Sequence, residues 1–224
     1  MTSNNKNIQP LNIKDCAVLN IATGVRAQNL KELRDQLSTI HPESIYYHFW
    51  AKKLRPSFEE PEYNNDFASW AYSGLHDSKL AERLSLINPG MFSDTEDLRR
   101  KLIEVADLSL KENNSTLDTK QGEQFQFIRS EIVVFDTQHI ISNPEELKDL
   151  LPNLSLGGIY YHFIDSKRMS DNTANDISSW LSLFGDEYKG LTQQISKLDP
   201  YFFTLAEFRV RVSQIFEGFF KGAN

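Results

Sequence analysis

The chain has 224 residues, a formal net charge of -7, 40 % apolar and 25 % charged residues, a length and mix that suit one large or two small domains with buried cores. The acidic balance repels phosphate backbones and anionic headgroups, so nucleic-acid and membrane-surface partners are disfavoured. No stretch approaches the roughly 20 consecutive apolar residues of a membrane helix.

Residues 1–14 read as a flexible polar tail, Asn/Lys-rich and without the apolar core of a signal peptide. Cys16 is the sole cysteine, which leaves neither an intramolecular disulfide nor a CxxC metal site and fits a reducing cytoplasm. The apolar run 16–22 predicts a strand. Asn29 followed by Glu32 predicts a capped helix start, with Leu30, Leu33 and Leu37 as its apolar stripe. Ile45–Phe49, after Pro42-Glu43-Ser44, reads as a helix start, with a strand as the alternative because its residues are β-prone. Asn65 is the expected cap of a third helix carrying Trp70, residues 77–87 form a fourth, and Pro89 marks a break. Ser93 with Glu96 predicts a capping box opening a last amphipathic helix.

A polar linker is expected over 111–126, after which the order recurs. Residues 131–136 predict a second strand; Asn143 with Glu146 predicts a cap, with Pro144 at the first helical position. Asn175 is the expected cap of a helix carrying Trp180, residues 187–198 follow, and Thr204 with Glu207 forms a second closing box. The recurrence is also literal. Ile45-Tyr-Tyr-His-Phe49 is identical to Ile159-Tyr-Tyr-His-Phe163, an offset of 114 (159 minus 45), and Asn65-Asp-x-x-Ser-Trp70 returns as Asn175-Asp-x-x-Ser-Trp180 after a four-residue contraction. These matches predict two copies, 15–110 and 127–220. A lone strand cannot satisfy its own backbone, so the two strands are expected to pair. The expected fold is α+β and predominantly helical, a tandem internal duplication of a strand-plus-helices unit arranged as a pseudo-twofold pair.

Ala22-Thr23-Gly24, Ile45-Tyr46-Tyr47-His48 and Asn65-Asp66-Phe67-Ala68-x-Trp70 resemble motifs of an uncharacterised prokaryotic domain-of-unknown-function family. The second set keeps Ile159 to His162, Asn175, Asp176 and Trp180, and departs at Asp136-Thr137-Gln138 and at Ile177-Ser178. The resemblance spans nearly the whole chain. It implies a shared fold and no named activity.

His48 with Asp66, and His162 with Asp176, are the candidates for chemistry: a histidine can act as a base or ligand while a carboxylate orients its other nitrogen. The competing reading is structural, a half-buried histidine bonded to a helix cap. Asn65, Asn175, Trp70 and Trp180 read as caps and core. Tyr47 and Tyr161 are candidates for a pocket-lining ring, since adjacent tyrosines cannot both face inward. Arg55 and Arg168 are candidates to pair with the aspartates or bind an anion. No phosphate loop, dinucleotide loop, HExxH or GxSxG motif occurs, so neither metal nor cofactor is expected. The leading expectation is a soluble cytoplasmic binding or scaffold protein that uses a groove or face between the two copies to hold a small molecule or protein. The alternative is a metal-independent hydrolase or lyase using a His–Asp pair.

Overall fold

The structure, a computed structural model, describes residues 8–54, 62–112, 118–169 and 174–222. Two long strands, β1 (Leu11–Ala27) and β2 (Phe125–Ile141), form a two-stranded sheet. Thr23 Oγ1 donates to the Phe127 carbonyl and Thr137 Oγ1 to the Ile13 carbonyl, each at 2.6 Å. Positions that rise along β1 fall along β2, so the strands are antiparallel. Both strands run well past the apolar runs that marked them, because a two-stranded ribbon leaves many side chains exposed. Asn20 and Thr137, for instance, lie exposed within them.

After β1 come helices α1 (Leu30–Leu37), α2 (Pro42–Phe49), α3 (Asp66–Ser73), α4 (Ser78–Ser85) and α5 (Thr95–Glu112). After β2 come α6 (Glu146–Leu150), α7 (Leu156–Tyr160), a π-helical turn over Tyr161–Asp165, α8 (Ser166–Met169), α9 (Asp176–Ser182), α10 (Lys189–Ser196) and α11 (Leu205–Gly222). The mostly helical α+β class is therefore as expected, and Ile45–Phe49 is helical.

The expected strand-plus-helices unit, set as a pseudo-twofold pair, is overturned. The chain divides inside the strands, not between them. One unit is Val18–Glu131; the other takes the chain up to Ala17 and from Ile132 onward. Each unit thus holds a length of both strands. The reason is hydrophobic. Phe125 and Phe127 open β2 and are buried with Phe67 and Trp70 of the helices that precede β2, Phe67 and Phe125 stacking at 5.0 Å. In the other unit Leu11, Ile13 and Cys16 of β1 are buried along with Ile159, Phe163, Trp180 and Phe208. The polar tail expected over 1–14 also ends sooner, since Leu11 and Ile13 are apolar and start β1; its first seven residues lie outside the described ones. The linker expected over 111–126 is bounded more narrowly. Lys111 and Glu112 finish α5, Phe125 and Gln126 open β2, and 113–117 lie outside the described residues.

Most local signals act as their chemistry requires; Asn143 is an exception, since α6 starts at Glu146 without a side-chain cap bond and Pro144 precedes the helix. Asn65 Oδ1 accepts the Ala68 N–H at 2.9 Å, and Asn175 Oδ1 accepts that of Ser178 at 2.8 Å. Thr204 and Glu207 close a reciprocal box. The expected Ser93 box is replaced: Asp94 Oδ1 caps the Asp97 N–H at 2.8 Å, and Glu96 turns instead to Arg99. At Gly24 (φ 76) and Gln138 (φ 60) the strands kink through the left-handed region. Each preceding threonine hydroxyl accepts the N–H two residues on, Thr23 from Val25 and Thr137 from His139. A glycine adopts that φ without strain, and Gln138 does so against its Cβ.

Gly157 shows why α7 needs a residue without a side chain. A Cβ there would lie 2.3 Å from the Cys16 carbonyl oxygen and 2.2 Å from Asp15 Oδ1. The Cys16 thiol also donates to the Gly157 carbonyl at 3.2 Å. Gly157→Ala is expected to push α7 off β1 and cost about 1–3 kcal/mol, read by chemical denaturation. An unchanged midpoint would mean that the close approach is not required.

Candidate functional site

The repeated His–Asp pairs form where the helices meet the strands. In the Val18–Glu131 unit, His48 sits in the last turn of α2 and Asp66 at the first position of α3, next to its cap Asn65. His48 Nδ1 lies 2.8 Å from Asp66 Oδ2, and His48 Nε2 accepts the backbone N–H of Ile128 on β2 at 3.2 Å. A nitrogen that accepts an N–H carries no proton of its own, so the proton is on Nδ1 and donates to Asp66. Lys52 Nζ donates to the other carboxylate oxygen at 2.7 Å.

The second unit repeats these bonds with its own groups. His162 Nδ1 lies 2.7 Å from Asp176 Oδ2, and His162 Nε2 accepts the N–H of Lys14 on β1 at 3.0 Å. It differs at the second oxygen. Ser166 stands 114 residues after Lys52; its hydroxyl donates to the His162 carbonyl and accepts the Asp176 N–H. Among the described residues, none hydrogen-bonds the buried Asp176 Oδ1.

The two tryptophans complete each grip on a strand. Trp70 Nε1 donates to the Glu123 carbonyl, just ahead of β2, at 2.8 Å. Trp180 Nε1 donates to the Gln9 carbonyl, just ahead of β1, at 2.9 Å. Tryptophan, histidine and aspartate thus hold one strand start per unit. The indole bonds a carbonyl, the imidazole takes an N–H, and the carboxylate fixes the imidazole's tautomer.

Burial decides what the pairs can do. His48 is 2 % exposed and His162 0 %. Burial pushes the His48 imidazole below its usual pKa, against the pull of the Asp66 hydrogen bond. Burial works to raise the Asp66 carboxyl, but the His48 hydrogen bond and the Lys52 ammonium outweigh it and hold the carboxyl below its usual range. A base or metal ligand must offer a lone pair to something outside the fold, and both Nε2 lone pairs are already given to backbone N–H groups. Cys16 is no nucleophile either: burial, then the charges of Asp165 and Asp15, push its thiol up to about 12.

Of the remaining described candidates, the two tyrosine rings pack edge-on against the histidines, each at 5.0 Å, and Arg168 stands apart from the pairs. Tyr47 is fully buried and Tyr46 nearly so, so neither ring of that pair faces solvent; α2 is buried all along this stretch. Tyr161 is half-buried beside His162, at 5.0 Å between rings. Burial and then the Asp176 charge raise its pKa. Arg168 pairs with buried Asp165 at 3.1 Å rather than with Asp176. Arg55 lies outside the described residues. Sequence reasoning missed Lys52 and the backbone partners Ile128 and Lys14. An i, i+4 spacing from His48 would have flagged Lys52; nothing in the sequence marks which backbone N–H a ring will meet. An open groove of about 560 Å³ lies elsewhere in the second unit, lined by Lys148, Arg209, Glu217, Phe220 and Lys221 among others.

Among the described residues, no helix is long and apolar enough to cross a membrane. The chain is similar to a solved structure, that of OrfY from Thermoproteus tenax, at 26 % identity and a TM-score of 0.76, over 93 % of this chain and 94 % of that one. No curated protein matches it. The model of a family of unknown function, DUF5752, matches residues 8–217 as one stretch. The chain therefore belongs to that family, which carries no assigned activity.

Proposed function

We propose that this chain is a binding or scaffold protein without catalytic activity of its own, working in the cytoplasm on a protein partner. One observation carries the reading: both histidines spend their acceptor nitrogen on a strand N–H, inside the fold. The residues that looked most like a catalytic pair are parts of two strand clamps. The acidic net charge argues against nucleic acid and anionic membranes as partners. The face offered to a partner is the stretch of β2 from Val133 to Ile140, where Val133, Val134, Phe135 and Ile140 are large, apolar and exposed.

The test replaces each histidine by glutamine, which keeps one donor and one acceptor. His48→Gln and His162→Gln are compared with the wild type for turnover of p-nitrophenyl acetate and p-nitrophenyl phosphate, and in a thermal-shift ligand screen. No turnover above background is expected from any of the three. Every ligand that raises the wild-type melting point should raise those of the variants equally. Hydrolysis that disappears in either variant while its fold is intact would sink the binding reading and restore the His–Asp hydrolase.

A further inference from the structure

The exposed stretch of β2 has a property its matched stretch on β1 lacks. Ile132-Val133-Val134-Phe135 is an uncharged run of β-branched and aromatic residues, flanked by Glu131 and Asp136. Val133, Val134 and Phe135 are 45 %, 42 % and 45 % exposed. Neighbouring residues on a strand point to opposite faces, so this run is open on both faces of the ribbon. Among the described residues the sheet has two strands, so no described strand lies beside the outer edge of β2. His48 takes one donor of this strand, Ile128, and lies upstream of the run. At the matched positions β1 carries Leu19, Asn20 and Ile21, so a polar amide interrupts the run there.

We infer that the occupant of this edge is a second copy of the same chain, its β2 lying antiparallel to the first about a twofold axis at Val134; the inference rests on the binding reading above. The sequence is self-complementary in that register. Val134 faces Val134 of the other copy, and Val133 faces Phe135 twice, which are the β-branched and aromatic pairs that stabilise antiparallel strands. The charges are compatible as well. Glu131 falls opposite Thr137 and Asp136 opposite Ile132, so no acid meets an acid, and Asp136 already has Lys14 at 3.3 Å on its own chain. Moving the axis to Val133 would set Glu131 against Phe135 and lose the Val133–Phe135 pairs. An isologous contact of this kind closes on itself and stops at a dimer.

Sedimentation velocity of the full chain over a concentration series tests this. The wild type should pass from monomer to dimer as concentration rises. Val134→Lys and Val134→Glu should each stay monomeric, because each sets like charges face to face at the axis; melting points should stay near wild type, since the position is exposed. An equimolar mixture of the two variants should recover the dimer, with lysine facing glutamate. Phe135→Ser provides an uncharged check and should weaken the dimer at least tenfold. A wild type that remains monomeric at every soluble concentration overturns the inference. So does a Val134→Lys variant that dimerises like wild type, or a mixture that stays monomeric. A monomeric wild type whose histidine variants show no turnover and unchanged ligand shifts would leave the binding reading standing and remove only the second copy as its partner.

Discussion

Trp70→Ala and Trp180→Ala are each expected to destabilise the protein by about 3–5 kcal/mol, the usual cost of emptying a large aromatic site. The rings are 7 % and 6 % exposed. Trp70 packs edge-on against Phe125 at 5.6 Å, and Trp180 against Phe184 at 4.9 Å. Each variant also deprives a backbone carbonyl of its indole donor, that of Glu123 in one unit and Gln9 in the other. The phenylalanine variants separate the two contributions. Trp70→Phe keeps most of the buried area and loses mainly the hydrogen bond, for about 1 kcal/mol beyond the smaller ring. Urea denaturation monitored by circular dichroism reads all four. A loss under about 1 kcal/mol for either alanine variant would mean that its strand start is held by something other than the tryptophan.

These clamps separate what is legible in the sequence from what is not. Caps are readable because they act over three residues: Asn65 and Asn175 do what their spacing says. Helical elements are readable from leucine periodicity and proline breaks. The strands are legible in place but not in length, since the polar residues that interrupt their apolar runs mark an open ribbon rather than an end. The sequence does not say which helices a strand start packs on. Phe125 and Phe127 indicate only that β2 begins buried; that they are buried with the helices before β2 is a tertiary fact. The candidate site is ambiguous in the sequence for the same reason. A His and an Asp recurring in order point equally to chemistry and to structure. The deciding partners, the N–H groups of Ile128 and Lys14, lie 80 and 148 residues from the rings they meet.

Acid should loosen the Val18–Glu131 unit through His48, well before its carboxylates titrate. Folded His48 is neutral and its pKa is lowered from 6.5, burial being the main cause and the nearby Lys52 charge acting the same way. Once unfolded, the same ring titrates near its ordinary value of about 6.5. Between those two values the unfolded chain binds a proton that the folded one refuses, so stability rises with pH in that window. The His48 contribution is therefore complete above about 6.5 and is lost as pH falls through the lowered folded value. Protonation also has a local consequence. A proton on Nε2 would point at the Ile128 N–H, turning an acceptor into a second donor, and the strand must then move away. Asp66 adds a lower window, because its carboxyl is held below the usual range by His48 and Lys52 and its contribution fades only as pH falls further. Two variants divide these effects. His48→Gln keeps an acceptor for Ile128 and a donor for Asp66 but cannot titrate, so its stability should stay flat where the wild type declines below about 6.5. His48→Leu should also lose the upper window, and it deprives the Ile128 N–H and Asp66 Oδ2 of their partner, costing about 1–3 kcal/mol at neutral pH for the N–H alone. Urea midpoints across the pH range check both. A glutamine variant with the same acid slope as wild type would assign the upper window to another group and refute the neutral, Nδ1-protonated His48 that accepts from Ile128.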